Sequence, residues 1–533
     1  MQKDELRPLP KFIYIATGVV SFSNFSAFYS LALITAMLLY IPMTFPLTWL
    51  STAALVTGTL VGGMLGALNC GWLADRFGRR KVMLSGSLVL LLSGLLVTFT
   101  PTLWLLIVGR SISGLGIGII TSLANLLIVE MSPAERRGAF ATIPYFFHFA
   151  GTLMPLLIGL LLGLAVPEAH EDMTWRFMAA TGVLISAVEL GISIWWLPES
   201  PRWLLFHNRT EEGLAMLRLI YGPQNQARII QDYQDMTASQ YEHVATAQNS
   251  LSWGDILHSA KYWRPIGTGI GLQVVRKLSG NAAISFYSTL ILIESVGLNK
   301  PMALLFSLLI YAPDALIVLG VLKVLDSWGR KALLFMSCAG LVVTILPMAV
   351  ALTVSQGSSS SSSSVIMQYL QGEDYSTASS SSVPTSVRII SVGSLILQRC
   401  SYSAGLGPIP SIHTAESLPY SVRARGLSLA SFASWAAGAV STLIFPALLL
   451  YAPASVPYWI FWSIAVVGLV FIWLAVRETA HCGIEQRTAP VLSKTESPPC
   501  ARILHHPTPK APIATAVMGN ASVESFETIN LSK

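Results

Sequence analysis

Residues 71–80 read Gly71-Trp72-Leu73-Ala74-Asp75-Arg76-Phe77-Gly78-Arg79-Arg80, and residues 326–331 read Asp326-Ser327-Trp328-Gly329-Arg330-Lys331. Each is a charged break at the end of a long apolar run. Fifty-five residues after Asp75 stands Glu130-Met131-Ser132-Pro133, with Arg137 seven beyond the Glu. Ninety residues after Asp326 stands Glu416-Ser417-Leu418-Pro419, with Arg423 again seven beyond. The excess of 35 is close to the length of a serine-rich stretch at 355–386, so the second copy carries an insertion there. Two parallel copies of one apolar pattern predict a transporter architecture, with two six-span repeats around a midplane site.

Composition agrees with the repeat. The 533 residues are 53% hydrophobic and 11% charged, with a mean hydropathy of +0.61. A soluble domain carries about 25% charge, so an ordinary soluble enzyme is excluded and a bilayer is the expected solvent. A crossing needs roughly 20 apolar residues. On that ruler twelve spans are predicted: 12–40, 48–72, 82–99, 102–129, 139–166, 175–197, 265–296, 302–325, 332–354, 387–414, 425–450 and 456–476. The expected fold is an all-α membrane protein of twelve transmembrane helices in two six-helix repeats.

Orientation follows from the loop cations. Loops after spans 2, 4, 8 and 10 carry Arg76, Arg79, Arg80, Lys81, Arg136, Arg137, Arg330, Lys331, Arg423 and Arg425, whereas the opposite loops carry only Lys300. Both termini are therefore expected in the cytoplasm. The organisation reads as a cytoplasmic N-terminus (1–11), a six-helix bundle (12–197), a cytoplasmic linker (198–263), a second bundle (264–476) and a disordered cytoplasmic tail (477–533). The serine-rich loop is non-cytoplasmic. Within the linker, Ser200-Pro201 and Thr210-Glu211-Glu212 read as helix starts. The sequons at Asn208, Asn520 and Asn530 face the cytoplasm in this topology, so no glycans are expected.

The net charge of +6 comes without basic runs interleaved with aromatics, so no nucleic-acid partner is expected. Five scattered cysteines lack metal spacing, and neither a metal nor a cofactor is expected. Gly58, Gly62 and Gly66, with Gly114, Gly116 and Gly118, have spacing suited to close helix packing. The repeated clusters Asp75, Arg76, Gly78, Arg79, Arg80, Glu130 and Arg137, and Asp326, Gly329, Arg330, Glu416 and Arg423, put carboxylates and cations at neighbouring helix ends. Pairs between the halves would hold one access state closed; alternatively the charges merely fix topology.

These motifs resemble the major facilitator superfamily, and most closely its sugar porter family, over roughly residues 50–480. The matching pieces are Gly71 to Arg80, Gly109-Arg110, Glu130 to Gly138, Thr174 to Met178, Leu197-Pro198-Glu199-Ser200-Pro201-Arg202-Trp203-Leu204, Leu278-Ser279-Gly280, Phe286 to Thr289, Gly407 to Pro410 and Arg423 to Gly426. A degraded Arg477-Glu478-Thr479 follows. The resemblance implies alternating access around a central cavity, and adds Glu199, Arg202 and Glu478 to the gate residues. It also implies a departure in the pocket. Sugar porters present neutral amides; here Tyr145 and Asp314 stand at such positions, Arg276-Lys277 replaces a Gln-Gln pair, and Ser411 stands where the family has a span-10 Trp. Gln273 is kept, Asn281 is displaced by one, and Trp435 fits span 11.

Intramembrane charges, here Arg110, Glu189, Arg276, Lys277, Asp314 and Arg399, are functional candidates by default. On span 7, Gln273, Arg276 or Lys277, Gly280 and Asn281 fall at helical spacing and are expected on one face. Arg276 or Lys277 is expected to pair with Asp314 in the empty cavity and to be released to an anionic or zwitterionic solute; a permanent salt bridge is the alternative. The resemblance implies that proton-linked relatives carry a span-1 Asp near Arg110, but this chain has Ser26 there. Glu189 or Asp314 could relay protons instead; facilitated diffusion is the reading preferred. His148, among aromatics in span 5, is either a pathway residue or a bonded core side chain. The expected function is a monomeric, non-enzymatic membrane transporter of a small polar solute, with the plasma membrane as its commonest home. Sugar or polyol, organic anion or zwitterion, and inorganic anion compete as substrate. A non-transporting sensor or vesicle protein of the same fold is the remaining alternative.

Overall fold

A computed structural model describes residues 10–133, 137–167, 170–248, 259–356, 384–418 and 420–478. These fall in one compact unit, residues 1–488. Most of the serine-rich loop, the tail from 479 and its sequons, Arg136 and residues 1–9 lie outside the described residues. Every regular element among the described residues is helical.

The first half comprises α1 (Lys11–Met37), α2 (Trp49–Phe77), α3 (Arg79–Phe99), α4 (Leu103–Met131), α5 (Arg137–Ala165) and α6 (Glu171–Trp196). Three shorter helices follow: α7 (Pro201–Phe206), α8 (Thr210–Tyr221) and α9 (Gln226–Gln248). α7 and α8 start at the predicted Pro201 and Thr210, and Ser200 Oγ accepts from the Trp203 N–H at 3.3 Å. The second half is α10 (Ala260–Leu278), α11 (Asn281–Val296), α12 (Lys300–Trp328), α13 (Arg330–Gln356), α14 (Thr385–Ser403), α15 (Ile409–Ser417), α16 (Tyr420–Tyr451) and α17 (Val456–Ala475).

Among the described residues, ten helices are long and apolar enough to cross a membrane. The remaining two spans, the seventh and tenth, are broken. The seventh stops at Leu278 and restarts at Asn281, because Gly280 adopts φ +92°, a left-handed conformation that a helix does not continue through. This corrects the expected continuous span over 265–296 and its single face. The tenth breaks between Ser403 and Ile409, where Pro408 has no N–H to donate. With each broken pair counted once, the described residues form twelve spans in two six-span repeats. Their counterparts in the first half, α1 and α4, run unbroken, so the halves differ at the helices nearest the site.

Close helix approach holds the first half together. A Cβ on Gly62 would lie 2.0 Å from the Ser111 carbonyl oxygen of α4, and one on Gly118 would lie 2.2 Å from the Gly63 carbonyl oxygen of α2. Only glycine permits that approach, and with lipid outside such packing is what associates helices. Apolar side chains also face outward; Trp195 is 83% exposed and Trp104 71%. That is the pattern for a surface wetted by lipid.

The halves meet through α2 on α16, α5 on α12 and α1 on α11. Thr57 and Thr442 share a hydroxyl hydrogen bond at 3.0 Å, Thr289 Oγ1 donates to the Thr35 carbonyl at 2.7 Å, and Lys300 pairs with Glu171. All three contacts lie toward the end of the bundle opposite the arginine clusters.

Candidate functional site

Between the halves lies a cavity of about 160 Å³. α1 and α5 of the first half supply Phe28, Ala32, Tyr145 and His148. The broken spans and α12 supply Arg276, Lys277, Asn281, Asp314 and Arg399. The breaks matter here: they bring the end of α10, the start of α11 and the end of α14 onto one wall.

Asp314 is 1% exposed and does not pair with Arg276 or Lys277. Its partner is Arg399, whose Nε and Nη2 both lie 2.6 Å from Oδ2, while Ser403 Oγ donates to Oδ1 at 2.7 Å. Arg399 and Ser403 stand one helical turn apart on α14 and so reach the same carboxylate. Arg399 Nη1 also donates to Asn281 Oδ1 at 2.6 Å and to Ser285 Oγ at 3.0 Å. Tyr311 and Tyr402 stack over the guanidinium at 4.8 and 5.3 Å. The expected pairing is thus corrected. α14 runs beside α12 and so brings Arg399 to Asp314, whereas Arg276 and Lys277 stand in the last turn of α10.

Arg276 instead donates to neutral groups, to Tyr402 Oη at 2.9 Å and Gln273 Oε1 at 3.1 Å. Gln273 passes the chain on to Ser411 Oγ at 3.1 Å. Gln273 and Ser411 therefore stand behind Arg276 and are not on the cavity wall. Trp435 is not on the wall either: it packs on α2, where a Cβ on Gly63 would lie 2.8 Å from its ring. Lys277 lines the cavity and makes no hydrogen bond or ion pair among the described residues. His148 does line the cavity, its ring 3.5 Å from that of Phe28. Sequence reading singled out Arg399 as an intramembrane charge but did not place it in the pocket; its one-turn spacing from Ser403 was the available signal.

The charge clusters form a duplicated clasp. Arg79 binds Glu130 through Nε at 3.1 Å and Nη2 at 3.2 Å, and Asp75 at 3.1 Å. The Glu199 carboxylate accepts the backbone N–H groups of Arg79 at 2.8 Å and Arg80 at 3.2 Å. In the second half, Arg330 binds Glu416 at 3.1 Å, and Glu478 accepts the N–H groups of Arg330 at 2.9 Å and Lys331 at 3.0 Å. Each carboxylate covers the open N-terminus of a helix. Gly78 at φ +98° and Gly329 at φ +86° make the turn, and a Cβ on either would lie 2.5 Å from the capping Glu oxygen. Among the described residues these pairs join helices within one half. Arg76 stacks on Trp72 and Phe77, and Arg202 on Phe206. The side chains of Arg137, Asp326 and Arg423 lie outside the described set.

Arg110, 1% exposed, donates to the Ser30 carbonyl at 2.7 Å and faces that of Leu31. Glu189 lies elsewhere in the first half, wholly buried, and accepts from Ser23 at 2.5 Å, Ser193 at 2.8 Å and Ser87 at 3.0 Å. The structure does not bring Arg110, Glu189 and Asp314 together.

A family model described as "Sugar (and other) transporter" matches residues 16–489. The plastidic glucose transporter 4 of Arabidopsis thaliana is 27% identical over 432 residues, covering 81% of this chain and 71% of that protein. The D-xylose-proton symporter-like 2 of the same plant is 28% identical over 456 residues, covering 82% and 81%. Among solved structures, the inward open conformation of the xylose transporter XylE from E. coli superposes with a TM-score of 0.70 at 20% identity, covering 89% of this chain and 99% of that one.

Proposed function

The chain belongs to the sugar (and other) transporter family, and from that premise we propose that a small polyhydroxylated solute binds in the cavity between its halves. The protein is an integral multi-pass membrane transporter working by alternating access. The observation that carries the site is that both halves wall one cavity around the Asp314–Arg399–Asn281 network. Rocking the halves would expose those walls to each side in turn, and one chain supplies both, so a single copy suffices. Solute hydroxyls would meet Asn281, Ser285 and Tyr402, with Phe28 and Phe286 against the apolar faces of the ring.

By the excess of arginine, the clasp end and both termini are cytoplasmic. The contacts between halves at the opposite end then support an inward-facing state. Arg110 rests on carbonyl oxygens, without the span-1 carboxylate of proton-linked relatives, which supports facilitated diffusion. The test is uptake by proteoliposomes. Saturable uptake is expected, reduced at least tenfold by Ala32→Trp, which fills the cavity from α1, and unmoved by an imposed pH gradient. Saturable uptake that Ala32→Trp leaves intact would put the solute elsewhere; acidification accompanying entry would end the uniport reading.

A further inference from the structure

We propose that the solute is an acid: a sugar-like molecule with one anionic head, a carboxylate or a phosphate, held by Lys277 and Arg276. The inference rests on the reading of the cavity as the transport site. Four charged side chains line that cavity: Arg276, Lys277, Arg399 and Asp314. Arg399 and Asp314 cancel, with Ser403, Asn281 and Ser285 occupying their remaining bonding positions. Arg276 meets only a phenol and an amide, and Lys277 meets no partner among the described residues. Among the described residues two formal positive charges are left without a counter-charge at membrane depth, where an unpaired ion is costly.

The bland explanation is the helix dipole, because Arg276 and Lys277 stand in the last turn of α10. A C-terminal dipole presents about half an elementary charge, shared among the last turn. That does not neutralise two cations. The break at Gly280 adds to the imbalance, since α11 starts at Asn281 on the same wall and turns its positive end to the cavity. An incoming anion would supply the missing charge, and the neutral Arg276–Gln273–Ser411 chain would hold the guanidinium in position for it.

The test compares D-glucose, D-glucuronate and D-glucose 6-phosphate as labelled solutes in proteoliposomes, with the full chain and its variants. At least one acid is expected to enter at least tenfold faster than glucose. Lys277→Met and Arg276→Gln are each expected to lower that rate at least tenfold, while Lys277→Arg retains most of it. Circular dichroism and size exclusion check that each variant is folded. If Lys277→Met fails to fold, the wild-type preference and Lys277→Arg carry the test. Glucuronate without the phosphate, or the reverse, identifies the head. Uptake of glucose with both acids ignored overturns the proposal and leaves the transporter reading standing. Acid uptake indifferent to both folded variants overturns it as well, and uptake of none of the three by inserted, folded protein overturns both readings.

Discussion

Asp314 and Arg399 form a unit whose worth lies in being complete. With Asp314 1% exposed, removal of its partner leaves a buried charge unpaired, which costs about 3–5 kcal/mol. Arg399→Gln is therefore expected to lower the thermal unfolding midpoint in detergent markedly, and the double variant Asp314→Asn/Arg399→Gln to recover much of the loss. A single variant as stable as the wild type would show that the pair contributes little. Glu189 is a milder case. Glu189→Ala would leave hydroxyls from α1, α3 and α6 without their common acceptor, at about 1–3 kcal/mol for a buried group left unmatched. Glu189→Gln keeps an acceptor and is expected to lose less in the same melt. Both acids were legible in the sequence as charges out of place. Their partners were not: Arg399 is 85 residues from Asp314, and spacing within one helix cannot tell which neighbouring helix lies alongside.

At the level of the helix, glycines sort into those that allow an approach and those that allow a turn. Gly62→Ala would push a methyl to 2.0 Å from a backbone oxygen of α4 and is expected to reduce folded yield severely. Gly280→Ala combines an unfavourable left-handed residue, at about 1–2 kcal/mol, with a methyl 2.6 Å from the Phe461 ring, and should also destabilise. Gly71→Ala, with nothing within 4 Å, is the control, expected to be neutral or to stabilise by up to about 1 kcal/mol. Equal effects of all three on thermal stability would contradict this sorting. Hydropathy counted twelve spans correctly, since length alone decides whether a run can cross. It missed both breaks, because 265–296 and 387–414 were each read as one crossing on length despite the polar steps Arg276 to Asn281 and Gln398 to Ser403, and a backbone turn leaves no mark on hydropathy. The clues were the residues themselves, a glycine beside Asn281 and the Gly407-Pro408 step.

Across the molecule, the Glu171–Lys300 pair joins the first half to the second beside Tyr40, whose ring lies 5.6 Å from the Lys300 amine. Lys300→Glu is expected to loosen that end and raise labelling of an Ala32→Cys reporter from the external face severalfold. The swapped pair, Glu171→Lys with Lys300→Glu, should bring labelling back toward the wild-type level; labelling unchanged by Lys300→Glu would deny the pair any part in closure. The clasps behave differently. Arg79 with Glu130, Arg330 with Glu416, and the capping carboxylates Glu199 and Glu478 each bind inside one half. They keep their partners whichever way the halves rock. Added salt screens exposed charges over about 10 Å at 0.1 M, so at the clasps it falls on the cohesion of each half. At the crossing pair it falls on the balance between the two facings. The crossing pair, with side chains 19% and 29% exposed, is screened more than Arg79–Glu130 at 11% and 6%, so ionic strength becomes a directional variable that favours opening to the outside.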